Sequence, residues 1–208
     1  MHPMNRRPPG QVRIIGGRLR GSKLPVPDLP GLRPSGDRAR ETLFNWLQGE
    51  IAGARVLDLF AGSGALGFEA ASRGAAETWL VERDAAQARS LADSAARLHA
   101  EDVHVACADA LGWLAGEVGG RFDVAFLDPP FAAGLWEAAA AALQPRLADR
   151  AWVYVELGAG SPFEAPPGWR LHRQAGGREA RNLLYLSEKR DPAATLADSF
   201  PGTGSVSS

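Results

Sequence analysis

Cysteine is nearly missing: Cys107 is the single one in 208 residues. One thiol makes no internal disulfide, and no Cys/His spacing suggests a metal site. Cys107 follows the apolar Val103–Ala106 region, so a core thiol is expected rather than a nucleophile. Histidine is sparse as well, and His99 and His104 read as surface or internally satisfied residues. No apolar run approaches membrane-spanning length, and residues 1–10 lack the apolar core of a signal peptide. A cytoplasmic protein without structural metal is the expectation. Hydrophobic content of 45% and charge of 23% suit a soluble chain, and the length suits one domain with a full core.

Charge of one sign is scarce at the start. The net charge is −1, yet residues 1–40 hold Arg6, Arg7, Arg13, Arg18, Arg20, Lys23, Arg33, Arg38 and Arg40 against only Asp28 and Asp37. A basic arm on an acidic body points to a polyanionic partner. Residues 1–11 are polar and Pro-rich, and disorder is expected there. Residues 12–35 read as a small basic extension, with strands at 12–15 and 23–26 flanking Gly16-Gly17-Arg18-Leu19-Arg20-Gly21. From residue 36 strands and helices alternate. Helices are expected at 36–49, 65–73, 84–100 and 135–147, with strands at 55–60, 77–82, 103–106, 122–127 and 151–156. An antiparallel pair at 169–174 and 180–187 closes the domain, and residues 188–208 form a polar tail expected to be disordered. Such alternation requires a parallel sheet with helices on both faces. Arg33, Arg38 and Arg40 crowd the start of the first helix, where positive charge is unfavourable unless an anion is bound.

Two motifs carry chemistry. Asp128-Pro129-Pro130-Phe131 ends the run Phe122–Leu127. Asp128 precedes a proline and is held extended, and neither proline has an N–H. The turn therefore offers stiff carbonyl acceptors, a carboxylate and a flat ring, which suit a planar ligand bearing an amino group. The tetrapeptide resembles the (D/N/S)PP(Y/F) motif of amino-methyltransferases; the plainer reading is a strand-ending turn. The second motif, Gly62-Ser63-Gly64-Ala65-Leu66-Gly67, fits G-x-G-x-x-G between a strand and a helix, with Glu82 twenty residues beyond Gly62.

That fingerprint admits either a dinucleotide or S-adenosylmethionine (SAM). Both carry ribose hydroxyls suited to Glu82. A dinucleotide lays a pyrophosphate over the loop, whereas SAM brings a sulfonium and an ammonium. Asp58 ends the first strand, and one charge pair across about 4 Å at an effective dielectric near 20 is worth roughly 4 kcal/mol. Asp109 and Asp128 add negative charge on the same rim, so the cationic ligand is favoured. Plainer roles exist: Asp58 as a loop cap, Asp109 as a helix N-cap, Glu82 as a polar strand end.

Taken together, Arg13-Ile14-Ile15-Gly16-Gly17, Leu32-Arg33-Pro34-Ser35, the segment Asp37–Leu47, Asp58–Gly67 and Asp128–Phe131 resemble the RsmD family of bacterial 16S rRNA guanine-N2 methyltransferases over residues 12–187. The resemblance implies a class I SAM-dependent methyltransferase domain at 36–187: Rossmann-like α/β, seven-stranded, the last strand antiparallel, with an N-terminal β-hairpin. It implies SAM contacts from Asp58, Phe60, Ala61, Gly62, Ser63, Gly64, Glu82, Asp109, Ala110 and Asp128. It also implies a catalytic Asp128-Pro129-Pro130-Phe131 and a 16S rRNA substrate within an assembling 30S particle, met by a monomer. Arg13, Arg18, Arg20, Lys23, Arg33 and Arg38 are the candidate RNA contacts, which Arg170, Arg173, Arg178 and Arg181 would extend. A DNA amino-methyltransferase and a non-catalytic RNA-binding assembly factor are the alternatives. An NAD-dependent dehydrogenase fails on Asp58.

Overall fold

The short apolar runs that alternate with helical periods assemble into one sheet. A computed structural model describes residues 10–26, 36–116, 119–129, 134–158, 160–177 and 180–189. Residues 1–9 and 190–208 of the two ends expected to be disordered, and Arg33, Pro130, Phe131 and Arg178, lie outside the described residues. Gly10 and Gln11 are instead part of the first strand and Glu188 ends the last, because each makes ladder pairs. A hairpin of β1 (Gly10–Arg13) and β2 (Lys23–Val26) precedes α1 (Asp37–Trp46). Then come β3 (Arg55–Asp58), α2 (Ala65–Ser72), β4 (Glu77–Glu82), α3 (Ala85–Arg97), β5 (Val103–Cys107) and α4 (Ala110–Ala115). The remainder is β6 (Phe122–Leu127), α5 (Trp136–Leu143), β7 (Leu147–Gly158), β8 (Trp169–Gly176) and β9 (Ala180–Glu188).

The seven-stranded sheet runs β5-β4-β3-β6-β7-β9-β8. β9 alone is antiparallel, paired with β7 on one side and β8 on the other. This is the expected class I methyltransferase order. One expectation moved: the helix from residue 135 stops at Leu143, a 3-10 turn spans Gln144–Arg146, and β7 begins at Leu147 rather than Ala151. Pro145 explains the stop, since its ring denies the α-helix an N–H and crowds the preceding turn.

The strands alternate strictly. Leu57, Ala125, Leu127, Val153 and Val155 face a cluster containing Leu114 of α4 and Trp136, Ala139, Ala140 and Leu143 of α5. Val56, Val124, Phe126, Trp152 and Tyr154 face the opposite side, against Leu43, Phe44 and Leu47 of α1 and Leu66 and Ala70 of α2. Period-two alternation on a two-faced buried sheet gives this division directly.

Helix α2 is apolar almost all round, and all eight of its residues are buried. One side lies on the sheet. The other is covered by the hairpin, whose Val12, Ile14, Leu19, Leu24 and Val26 share a core with Phe68 and Ala71 of α2 and Leu91 of α3. The two polar groups on α2 serve this junction. The fully buried Glu69 accepts the N–H of Ile15 and of Gly16, both at 2.8 Å, and pairs with Arg73 at 2.8 Å. Ser72 accepts the Leu19 N–H at 2.8 Å, and its own carbonyl accepts that of Arg18 at 2.7 Å. Gly17 sits at φ 74°, and a Cβ there would lie 1.8 Å from the Ser72 carbonyl oxygen, a clash that no side-chain adjustment relieves. The basic arm is thus built into the core, not loosely appended.

Glu69→Ala removes the acceptor for two backbone N–H groups in a buried junction. A loss of about 2–5 kcal/mol in chemical denaturation is expected, with new protease cleavage in the loop between β1 and β2. An unchanged midpoint and an uncut hairpin would contradict this account of the junction.

Candidate active site

Sheet order reverses between β3 and β6. The chain leaves β3 for β4 on one side, while β6 lies on the other, and ligands bind outside the strand ends at such a point. Strand parity decides which side chains reach it. Asp58 lies two residues beyond Val56, Asp128 two beyond Phe126, Glu156 two beyond Tyr154 and Glu82 two beyond Leu80. All four acids therefore share the α1/α2 face, on the adjacent strands β4, β3, β6 and β7. They form a row of carboxylates along one rim.

The Gly-rich loop is braced by its neighbours. Helix α2 begins after Gly64, at φ 76°, and has no side-chain cap of its own. Asp58 supplies the missing acceptor from the adjoining strand: its Oδ2 takes the Gly67 N–H, in the first turn of α2, at 3.0 Å. Gly67 is required for that approach, because a Cβ would lie 2.1 Å from Leu80 Cδ2. Glu82 accepts the Gly62 N–H at 3.0 Å through one oxygen and the Asp84 N–H at 2.8 Å through the other. Gln87 donates to the Gly62 carbonyl. Around the loop, Ala61 N–H bonds the Val81 carbonyl at 3.0 Å and Gly64 N–H bonds that of Ala61 at 2.6 Å.

Burial and crowding of like charge set the electrostatics. Asp58, 2% exposed, is pushed up to about 7, by burial first and by Glu82 next, against the pull of the Gly67 N–H. Asp128 is held well above the usual carboxylate range by burial, then by Glu156, then by Asp58. Tyr154, whose hydroxyl donates to Glu156 at 3.0 Å, is raised by burial and by the Glu156 and Asp128 carboxylates. Asp58 and Asp128 therefore resist ionisation until positive charge or several N–H donors enter the crevice. An anion over the same rim would meet repulsion.

Comparison with known proteins agrees with this frame. The family described as conserved hypothetical protein 95 matches residues 12–185. The Escherichia coli K12 protein named ribosomal RNA small subunit methyltransferase D is 48% identical over 183 residues, covering 86% of this chain and 91% of the relative. The Haemophilus influenzae protein of the same name is 43% identical, covering 79% of this chain and 88% of the relative. This chain belongs to the RsmD family. A solved structure of Escherichia coli yhhF superposes with a TM-score of 0.79 at 45% identity, covering 87% of this chain and all of that one. A Synechocystis magnesium protoporphyrin IX methyltransferase solved with bound SAM shares the fold alone, at 18% identity and a TM-score of 0.54.

In this RsmD-family chain the predicted site residues divide by environment. Phe60 and Gly62 are half-buried at the loop, whereas Ala61, Ser63 and Gly64 are buried beneath it. Asp109 is exposed and caps α4, accepting from Leu111 at 3.1 Å and Gly112 at 3.0 Å, and the buried Ala110 opens that helix. Asp128 and Pro129 stand at the end of β6; the other half of the tetrapeptide, Pro130 and Phe131, is not among the described residues.

Arg13, Arg18, Arg20, Lys23 and Arg38 are all exposed, and Arg18 also pairs with Asp102 at the surface. One arginine required correction. Arg40, read as part of an anion-attracting helix start, is fully buried and bonds the Arg13 carbonyl at 2.9 Å and Asp37 at 2.6 Å. It ties α1 to the hairpin. Farther on, Arg181 donates to the Ser161 carbonyl and Arg170 lies 3.8 Å from Glu188. Cys107 is exposed, not a core thiol, because it ends the edge strand β5, which no further strand covers. The Gln87 backbone N–H bonds the Asp84 side chain at the start of α3, while its own side chain goes to the loop. Glu156 drew no attention in the sequence, although an acid two residues after Tyr154 at a strand end carried the same signal as Asp58 and Glu82.

Asp58→Asn should flatten the pH dependence of stability. The folded wild-type carboxyl binds its proton more tightly than the unfolded chain does, so stability falls as pH rises from about 4 towards about 7. The Asn variant keeps an acceptor for Gly67 and lacks this loss. Urea melts should show the variant gaining on wild type across that window, by roughly 3–4 kcal/mol at the upper end. Parallel pH profiles would contradict the raised value.

Proposed function

We propose that the protein transfers a methyl group from SAM to the exocyclic N2 of a guanine in 16S rRNA during small-subunit assembly. The observation that carries this reading is the row Glu82, Asp58, Asp128 and Glu156 at the switch point of a methyltransferase fold. Family membership and the names of the relatives support the rRNA substrate. The residues fit SAM. Asp58 and Asp128, held above the usual carboxylate range by burial first, are relieved by positive charge, and the ammonium and sulfonium of SAM supply it. Asp58, Glu82 and the loop at Gly62–Gly64 would hold the ligand, with Asp109 and Ala110 on the adenine side.

When bound, SAM supplies an electrophilic methyl group. The chain's own contribution is to hold the amine. A guanine 2-amino group is a weak nucleophile because its lone pair is delocalised into the ring. Asp128 and the Pro129 carbonyl accept its two N–H bonds and turn the lone pair towards the methyl donor. The same acceptors stabilise the positive charge that grows on nitrogen during transfer. Rate then comes largely from alignment. Asp128 stands next to the nitrogen and is the nearest group to receive the released proton. The base must leave its stack to reach this turn, and Phe131 follows in sequence as its stacking surface. Arg13, Arg20, Lys23 and Arg38 provide exposed positive charge for the RNA backbone.

An assay with tritiated SAM on small-subunit particles lacking the modification, on free 16S rRNA and on DNA tests the reading. Wild type should label RNA at guanine N2. Asp128→Ala should retain SAM binding while labelling falls by at least about a hundredfold, the scale of lost transition-state acceptors. Label in DNA alone, or near-normal turnover by the variant, would overturn it.

A further inference from the structure

Glu156 has no part in holding SAM or the amine, yet it stands beside the reacting position. Leu127 and Val155 are partners in the parallel β6–β7 ladder, so the residues that follow, Asp128 just past β6 and Glu156 within β7, lie at the same level. Neighbouring strands are about 4.8 Å apart, and the two carboxylates share one face. Two contacts fix Glu156: its Oε2 accepts from the Tyr154 hydroxyl at 3.0 Å, and its carbonyl accepts the Trp136 indole N–H at 2.8 Å. Trp136 opens α5. β7 is thereby tied at Glu156 to the first residue of that helix.

Two adjacent acceptors match an edge with two adjacent donors. Guanine has such an edge, with the N2 amine beside N1–H. Adenine and cytosine place a ring nitrogen lone pair next to their amines. We infer that Glu156 accepts the N1–H of the target guanine, and so acts as the residue that admits guanine and rejects adenine and cytosine. This rests on the guanine-N2 reading given above. A carboxylate accepts at several positions, and the Tyr154 bond aims the group. Against adenine or cytosine the same carboxylate would face a lone pair in a desolvated site, the arrangement that discriminates most strongly. Mutual repulsion between Asp128 and Glu156, visible in the raised value of Asp128, is relieved by a donor-rich edge.

The experiment uses full-length enzyme and a small-subunit RNA substrate with the target guanine either kept or replaced by 2-aminopurine. That base retains the amine but has an acceptor at N1. Initial rates of N2 methylation give kcat/KM for each. Wild type should prefer guanine by at least about a hundredfold. Glu156→Gln keeps an acceptor for Tyr154 yet can turn an amide N–H to the acceptor at N1, so the preference should shrink at least about tenfold. SAM affinity and the melting temperature of the variant should stay at wild-type values, which a merely structural role for Glu156 would not allow. Wild type methylating both bases equally would overturn the inference, as would an unchanged preference in Glu156→Gln. Failure of wild type to methylate guanine at all would overturn the guanine-N2 reading itself.

Discussion

One buried carboxylate ties the first turn of α2 to the sheet. Asp58 ends β3 and is buried, and its oxygen holds the first turn of α2 through Gly67. Removing water there makes the charged form costly, and Glu82 makes it costlier. The fold tolerates this because the N-terminus of α2 offers a fixed positive dipole and no capping side chain of its own. An incoming cation gains from every one of these unfavourable terms. The same geometry disfavours a pyrophosphate, although the glycine pattern alone would admit one.

The hairpin extends this logic away from the crevice. Helix α2 must present glycine and small residues to the sheet so that Asp58 can reach its first turn. Its outer face is then apolar and needs cover. The hairpin provides it, and Glu69 and Ser72 satisfy the hairpin's backbone at the contact. Arg40 anchors the same hairpin to α1 from within the core. Part of the positive charge at the start of the chain is therefore structural, and the exposed remainder is what can meet a polyanion.

Much of the fold was legible because its signals are local. Strand runs, the glycine loop, the Asp84 cap and the order of elements each follow from nearby residues, and all appear in the structure. Asp58 and Glu82 were legible because each sits a fixed distance from the loop. Glu156 was not, since its significance comes from the β6–β7 register, a pairing between segments about thirty residues apart. Arg40 was misread for a related reason: sequence counts charge but does not show that a carbonyl of β1 lies in reach. Cys107 looked buried from its neighbours, whereas its exposure depends on β5 being an edge.

The central claim is that the raised carboxyls of Asp58 and Asp128 receive a positively charged methyl donor. Calorimetric titration with SAM near pH 7, in two buffers of different ionisation heat, tests it directly. Binding should release protons, visible as a buffer-dependent heat, and NADH should give no binding heat. Uptake of NADH, or SAM binding with no proton exchange, would contradict the account.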